Sequence, residues 1–202
     1  MYQYIFDIGA VLVRYNAEEL TDFISRISGC RPDDVKTLLY PDILYKIETG
    51  RMSDLDFYSD YVRNVLPGLS FDNLVNLYEQ YFEINRPGFE LMLELKGRGS
   101  KVYTLSNLAG FHKTAIERKI PSFFEQFDMN FLSFEIGLHK PEPEIYEKLI
   151  DRIGEKPENL VFFDDAPQNV NGAIAAGIKG ILFSNDRIDE IRKQIRQLEQ
   201  ME

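Results

Sequence analysis

Hydrophobic and polar positions along this chain follow two different periods. Short apolar runs rich in aromatic and β-branched residues fall at 2–7, 101–105, 128–133, 159–163 and 179–183, and each reads as a strand. Residues 10–13 read as a continuation of the first strand beyond an Asp-Ile-Gly turn. Helical spacing fills the intervals at about 87–97, 110–118, 142–153 and 167–176, and a last helix covers 185–200. That last helix aligns Ile188, Ile191, Ile195 and Leu198 in one stripe, which predicts packing on the sheet. Strands separated by helices predict an α/β fold with a doubly wound, parallel, Rossmann-like sheet.

Residues 16–86 break this alternation. Ala17 to Ile27, Pro32 to Thr49, Ser53 to Val65 and Phe71 to Phe82 carry helical periodicity with no strand between them. Asn16, Ser53 and Ser70 suit N-caps, and Gly29 and Gly50 suit helix stops. The pattern predicts a core made of 1–15 and 87–202 with a helical cap, 16–86, inserted after the first strand.

Composition narrows the setting. The chain has 202 residues, enough for one core plus a small cap, and its 44% apolar content is ordinary for a globular protein. No window resembles a membrane span, and the first residues lack the basic start and small-residue cleavage site of a signal peptide. A lone cysteine, Cys30, then fits a reduced thiol, and the expected location is cytoplasmic. A net charge of −10 argues against nucleic acid and against anionic membranes as partners.

Four polar clusters stand where apolar runs end. They are Asp7 after YIF, Ser106-Asn107 after VYTL, Lys140 within GLHKPEP, and Asp164-Asp165 after LVFF. In open α/β sheets ligands bind beyond the carboxyl ends of the strands, where these residues are expected. Together they suit a nucleophile, a phosphate clamp and a metal brought to one crevice. Adjacent carboxylates repel, so a buried pair calls for a cation or hydrogen bonds, and hard oxygen donors favour Mg²⁺.

The runs FDIGAVLV, LSN, GLHKPEPEIY and FFDDAPQNVNGAIAAG resemble the four motifs of the haloacid dehalogenase-like (HAD) hydrolases, most of which are phosphatases. Asp7-Ile8-Gly9, with a histidine six residues after Ser106, is most similar to a bacterial subgroup that includes an α-D-glucose-1-phosphate phosphatase. The resemblance implies that Asp7 is the nucleophile and forms an aspartyl-phosphate. It implies that Ser106, Asn107 and Lys140 hold the transferring phosphoryl group. Asp7, the Gly9 carbonyl, Asp164 and Asp165 are then the implied Mg²⁺ ligands. Asn169 falls where the family often places Asn or Asp, and a structural role at a helix start suits it equally.

Gly9 departs from the usual motif, which has a second aspartate there to protonate the leaving oxygen and activate water. General acid–base help is worth about 10²–10⁴-fold. A better leaving group, such as an anomeric oxygen or an acyl phosphate, lessens that loss. His112 is a candidate replacement on the first turn of its helix, with His139 beside Lys140 a weaker one. Leu108-Ala109 replaces more polar residues of the subgroup. In the cap, Glu48 and Arg51 are candidate substrate contacts, with Tyr45 beside them.

The expected activity is therefore a Mg²⁺-dependent phosphatase acting on a small phosphorylated metabolite, with a hexose 1-phosphate leading. The expected assembly is a monomer or weak homo-oligomer. Two rivals stand beside this reading. A haloacid dehalogenase would also lack the second aspartate but needs no metal. A catalytically weak domain would bind phosphorylated ligands or a protein partner, with Mg²⁺-assisted binding and no turnover.

Overall fold

A computed structural model of the protein describes residues 2–200. The first strand, β1, spans Gln3–Phe6, and six α-helices follow it before the α/β alternation resumes. They are α1 (Ala17–Ser28), α2 (Pro32–Lys36), α3 (Pro41–Glu48), α4 (Asp54–Phe57), α5 (Arg63–Val65) and α6 (Phe71–Tyr81). Alternation then resumes with α7 (Arg86–Gly97), β2 (Val102–Ser106), α8 (Gly110–Lys119), β3 (Met129–Leu132) and α9 (Ser133–Ile136). The chain continues through α10 (Pro143–Ile153), β4 (Leu160–Asp164), α11 (Pro167–Ala175), β5 (Lys179–Leu182) and α12 (Ile188–Gln200).

The five strands form one parallel sheet in the order β3-β2-β1-β4-β5. Side chains alternate across it. Tyr4, Phe6, Val102, Val161, Phe163 and Ile181 join one apolar cluster, and Ile5, Tyr103, Leu105, Phe131, Leu160 and Phe162 join the other. Leu91 of α7, Phe111 of α8 and Ile191 of α12 cover the first face, whereas Ile145 of α10 and Ala173 of α11 cover the second. Burial on both sides explains why the strands read as nearly continuous apolar runs.

The helical insert shares the first cluster. Leu20, Ile24, Ile47, Leu74 and Val75 are continuous with the sheet's own apolar residues. The insert docks on α8, where Phe57 stacks on Phe111 with ring centroids 5.7 Å apart. Arg118 of α8 donates to Asp72 and Asn76 of α6, both at 2.9 Å. Ala109, at the N-cap of α8, has no side-chain acceptor, and the backbone N–H groups of Gly110 and Phe111 donate to Asp54 of the insert. A Cβ at position 110 would lie 2.6 Å from Asp54 Oδ2, so glycine permits that approach.

Several elements differ from expectation. Residues 10–13 are a turn: Ala10 has φ 58°, and the N–H groups of Leu12 and Val13 both donate to the Ile8 carbonyl. Val11, Leu12 and Val13 are nonetheless buried, which is why their run resembles a strand. The helix expected over 32–49 breaks at Tyr40, whose extended backbone precedes Pro41. A π-helical turn, Tyr58–Val62, interrupts the helix expected over 53–65. The end of the 128–133 run turns into the short helix α9.

Candidate active site

The crevice lies where the direction of sheet growth reverses. β1 pairs with β2 on one side and β4 on the other, with Phe6 opposite Thr104 and Phe163. Asp7, Ser106 and Asp164 therefore come to the same edge, at the carboxyl ends of three adjacent strands. Lys140 arrives from the loop between α9 and α10.

Lys140 Nζ lies 2.9 Å from Asp7 Oδ1 and 2.6 Å from Asp164 Oδ2. Burial alone would depress the Lys140 ammonium, but Asp164 and Asp7 outweigh it and hold the group above its ordinary value. Asp7 Oδ1 also accepts the N–H of Ile8 at 2.7 Å, which fixes the rotation of the carboxylate. Burial, opposed by Lys140 and reinforced by Asp164, pushes the Asp7 carboxyl up to about 7. Asp164 is fully enclosed: Oδ1 accepts the Ala166 N–H at 2.9 Å, and Asn169 Nδ2 donates to both oxygens at 3.0 and 3.1 Å. Asn169 thus serves Asp164 directly. Asp165 is more open, and its carboxyl is raised by partial burial and then by Asp164.

Asp7, Asp164 and Asp165 present carboxylate oxygens all within 4.8 Å of one another. One ammonium serves this cluster of three carboxylates, and burial, with Asp164 adding to it, holds the carboxyls of Asp7 and Asp165 above their ordinary range. Three hard oxygen donors with uncompensated charge fit a divalent cation such as Mg²⁺. Gly9 lines the same crevice, and its carbonyl already accepts the Val11 N–H at 2.7 Å, leaving one lone pair.

Above these groups is a cavity of about 200 Å³. Ser106, Asn107, Lys140, Asp165 and Asn169 contribute polar atoms, whereas Val13, Phe82, Leu108 and Ile116 line it with hydrocarbon. Glu48, His112 and Tyr15 complete the wall. His112 is buried among Phe111, Tyr78 and Phe82, and burial pushes its imidazole down to about 3. Its Nδ1 accepts the N–H of Ala109 at 3.3 Å, so the neutral ring carries its proton on Nε2. Arg51 is exposed, stacks over the Tyr45 ring at 4.8 Å and does not line the cavity. Tyr45 is also outside the lining and donates its hydroxyl to Glu142 at 2.7 Å.

Sequence reasoning missed Tyr15, Val13 and Phe82. The turn at 8–13 folds Val13 back to bridge Gly9 and Ile84, which brings all three to the crevice. The reversed turn left no periodic trace.

A profile of the haloacid dehalogenase-like hydrolases matches residues 5–177. The chain belongs to this family. A sesquiterpene phosphatase of Aspergillus oryzae is 28% identical over 88% of this chain and 87% of its own. A phosphatase of Mycobacterium tuberculosis is 26% identical over 93% and 88%. Among solved structures, a HAD family enzyme from Bacteroides thetaiotaomicron in complex with magnesium and inorganic phosphate superposes with TM-score 0.78 at 23% identity, covering 92% of this chain and 95% of the other. A predicted HAD-like family hydrolase from Porphyromonas gingivalis gives TM-score 0.80 at 27% identity, over 97% and 98%. Among the described residues of this HAD-like hydrolase, no helix is long and apolar enough to cross a membrane.

Proposed function

We propose that this HAD-like hydrolase is a cytoplasmic, Mg²⁺-dependent phosphatase that acts on a small phosphorylated metabolite through an aspartyl-phosphate on Asp7. The observation that carries the reading is the Asp7 carboxylate beside Lys140 at the floor of a crevice that also holds Ser106, Asp164 and Asp165. Relatives named as phosphatases, and a magnesium- and phosphate-bound structural neighbour, support it.

In this mechanism Asp7 attacks phosphorus, the new Asp7 O–P bond forms, and the ester P–O bond breaks. Water then cleaves the acyl phosphate and returns the carboxylate. Lys140 offsets charge on Asp7 and on the phosphoryl oxygens, and the Ser106 hydroxyl and the Asn107 backbone N–H hold those oxygens. Asp7, Asp164, Asp165 and the free lone pair of Gly9 would hold Mg²⁺, which supplies further positive charge to the phosphoryl group. His112, neutral with its proton on Nε2, donates a hydrogen bond to the substrate rather than taking a proton. Glu48 lines the crevice from the helical insert, which acts as the cap, and Arg51 stacks on Tyr45 outside that lining. A cluster of three carboxylates argues against the dehalogenase reading, because carbon–halogen displacement by aspartate needs no cation.

With Gly9 supplying no acid, the leaving oxygen must depart well, and a hexose 1-phosphate satisfies that through its anomeric oxygen. The hydrocarbon wall of Val13, Phe82, Leu108 and Ile116 favours a second reading, the monophosphate of a largely apolar alcohol. The sesquiterpene phosphatase relative accords with it. Phosphate release would be measured from para-nitrophenyl phosphate, hexose 1- and 6-phosphates and a prenyl monophosphate, with Mg²⁺ or EDTA, beside Asp7→Asn. Metal-dependent release that disappears in Asp7→Asn is expected, and its absence from every compound would favour a non-catalytic binding domain.

A further inference from the structure

Asn107 encloses the backbone of Lys140. Its Oδ1 accepts the Lys140 N–H at 2.9 Å, and its Nδ2 donates to the Lys140 carbonyl at 3.0 Å. That pairing fixes the orientation of the amide. Nδ2 must therefore be the donor in its 3.1 Å contact with His139 Nδ1, which leaves that nitrogen unprotonated. The imidazole proton then resides on Nε2, which donates to Glu48 Oε2 at 2.9 Å. One directional series of hydrogen bonds thus runs from α3 of the helical insert to the backbone of the lysine that touches Asp7 and Asp164.

A second contact ties the same helix to the same loop. Tyr45 of α3 donates to Glu142 Oε1 at 2.7 Å, and Glu142 Oε2 accepts the His139 N–H at 3.2 Å. The Tyr45 ring also lies against His139, with centroids 5.3 Å apart. Two residues of α3 one turn apart therefore grip residues 139–142, while Asn107 anchors the loop from the end of β2.

We infer that Glu48 positions Lys140 through His139 and Asn107, so that the lysine is held in register only while the helical insert is docked. The inference rests on the phosphatase reading for what Lys140 does, but not for how it is held. His139 and Glu48 are positioning residues here. A misplacement of about 1 Å in such a site can cost about 10²-fold, so an undocked insert leaves the crevice open and the lysine slack.

Hydrogen exchange of the Lys140 backbone amide, followed by NMR in the whole chain, tests this without turnover. The Ala166 amide, bonded to Asp164 Oδ1, is the internal reference. Loss of one anchoring hydrogen bond is worth a change of about 10-fold. Exchange at Lys140 is expected to rise by about that factor in Glu48→Ala and His139→Ala, with Ala166 unchanged. Glu48→Gln, whose Oε1 can still accept the Nε2 proton, is expected to stay near wild type. In kinetics, kcat is expected to fall in the same order with KM moving less. Unchanged Lys140 exchange in folded Glu48→Ala overturns the inference, as does a raised KM alone or a parallel rise at Ala166. If His139→Ala does not fold, the two Glu48 variants decide. A wild-type protein without turnover would sink the phosphatase reading, and the exchange result would still judge the relay.

Discussion

Lys140 Nζ and Asp164 Oδ2 stand 2.6 Å apart with both side chains almost entirely removed from solvent. Neither charge is tolerable there without the other, and Asp7 makes the lysine a shared counter-ion for two carboxylates. Lys140→Met is therefore expected to cost about 3–5 kcal/mol, the range for breaking a buried pair by removing one partner. Urea unfolding in EDTA measures it. Added Mg²⁺ is expected to recover part of the loss in the variant, because a cation then meets the unpaired carboxylates. Equal losses with and without Mg²⁺ would argue against the metal site.

The position opposite Tyr15 is open. A Cβ built on Gly9 meets nothing nearer than Tyr15 Cβ at 3.9 Å, so neither space nor backbone demands glycine. Gly9→Asp restores the acid–base carboxylate at the place where the family usually carries it. Turnover is expected to rise, by up to about 10²-fold for an alkyl phosphate. It should rise much less for para-nitrophenyl phosphate, whose leaving group needs no proton. A panel of kcat values across leaving groups reads this directly, and no rise for any alkyl phosphate would sink the assignment.

The parallel sheet, the succession of helices and the strand-end clusters were legible in the sequence because each rests on local pattern. Burial on both faces gives continuous apolar runs, and the polar residues at their ends stand out against them. The turn at 8–13 was not legible, because Val11, Leu12 and Val13 are as apolar in a buried turn as in a strand. The break at Tyr40 had a signal in Pro41, but helical periodicity on both sides obscured it. Roles that depend on partners from elsewhere left no local mark. Asn107 clamping Lys140, and Glu48 meeting His139, join segments far apart in the chain. His112 reads as a titrating group in sequence, but the aromatic rings around it remove the solvent its charge needs.

Metal binding and pH are linked through Asp7. Its folded carboxyl is raised from 3.8 to about 7, so its share of apo-protein stability is full below 3.8 and is lost as pH rises to about 7. Asp165 is shifted the same way. On the Mg²⁺ reading the cation requires the cluster deprotonated, so the thermal shift it produces is expected to grow between pH 5 and pH 8, with proton release on binding. Calorimetric titration in buffers of different ionisation enthalpy counts those protons. A Mg²⁺ shift independent of pH would contradict the cluster.

His112 acts in the opposite sense. Its imidazole falls from 6.5 to about 3 in the folded protein, so the stability it contributes is present above 6.5 and is lost as pH falls toward 3. This window overlaps that of Asp7, and the two slopes partly cancel in the wild type. His112→Asn keeps an acceptor for the Ala109 N–H and removes the titration. Its melting temperature in EDTA is expected to fall less than that of the wild type between pH 6.5 and 4. Parallel curves would show that His112 is not held neutral.

Asp54 links the insert to the core through a shape as much as a charge. The N–H groups of Gly110 and Phe111 donate to it, favouring the carboxylate, yet burial outweighs them and its carboxyl is raised. Its contribution to stability is therefore full below its unfolded pKa and declines as pH rises through the folded one. Asp54→Asn keeps an acceptor for those donors without the buried charge, so it is expected to change stability little at pH 7 and to lack that decline. Asp54→Leu leaves two N–H groups unpartnered at the start of α8 and is expected to cost about 1–2 kcal/mol, as lost helix caps do. Gly110→Ala presses a methyl against the same carboxylate and is expected to weaken the docking of α4 likewise. Denaturant midpoints of the three variants at pH 5 and pH 8 separate these effects. If Asp54→Asn were as destabilising as Asp54→Leu, the charge rather than the hydrogen bonds would hold the insert to α8.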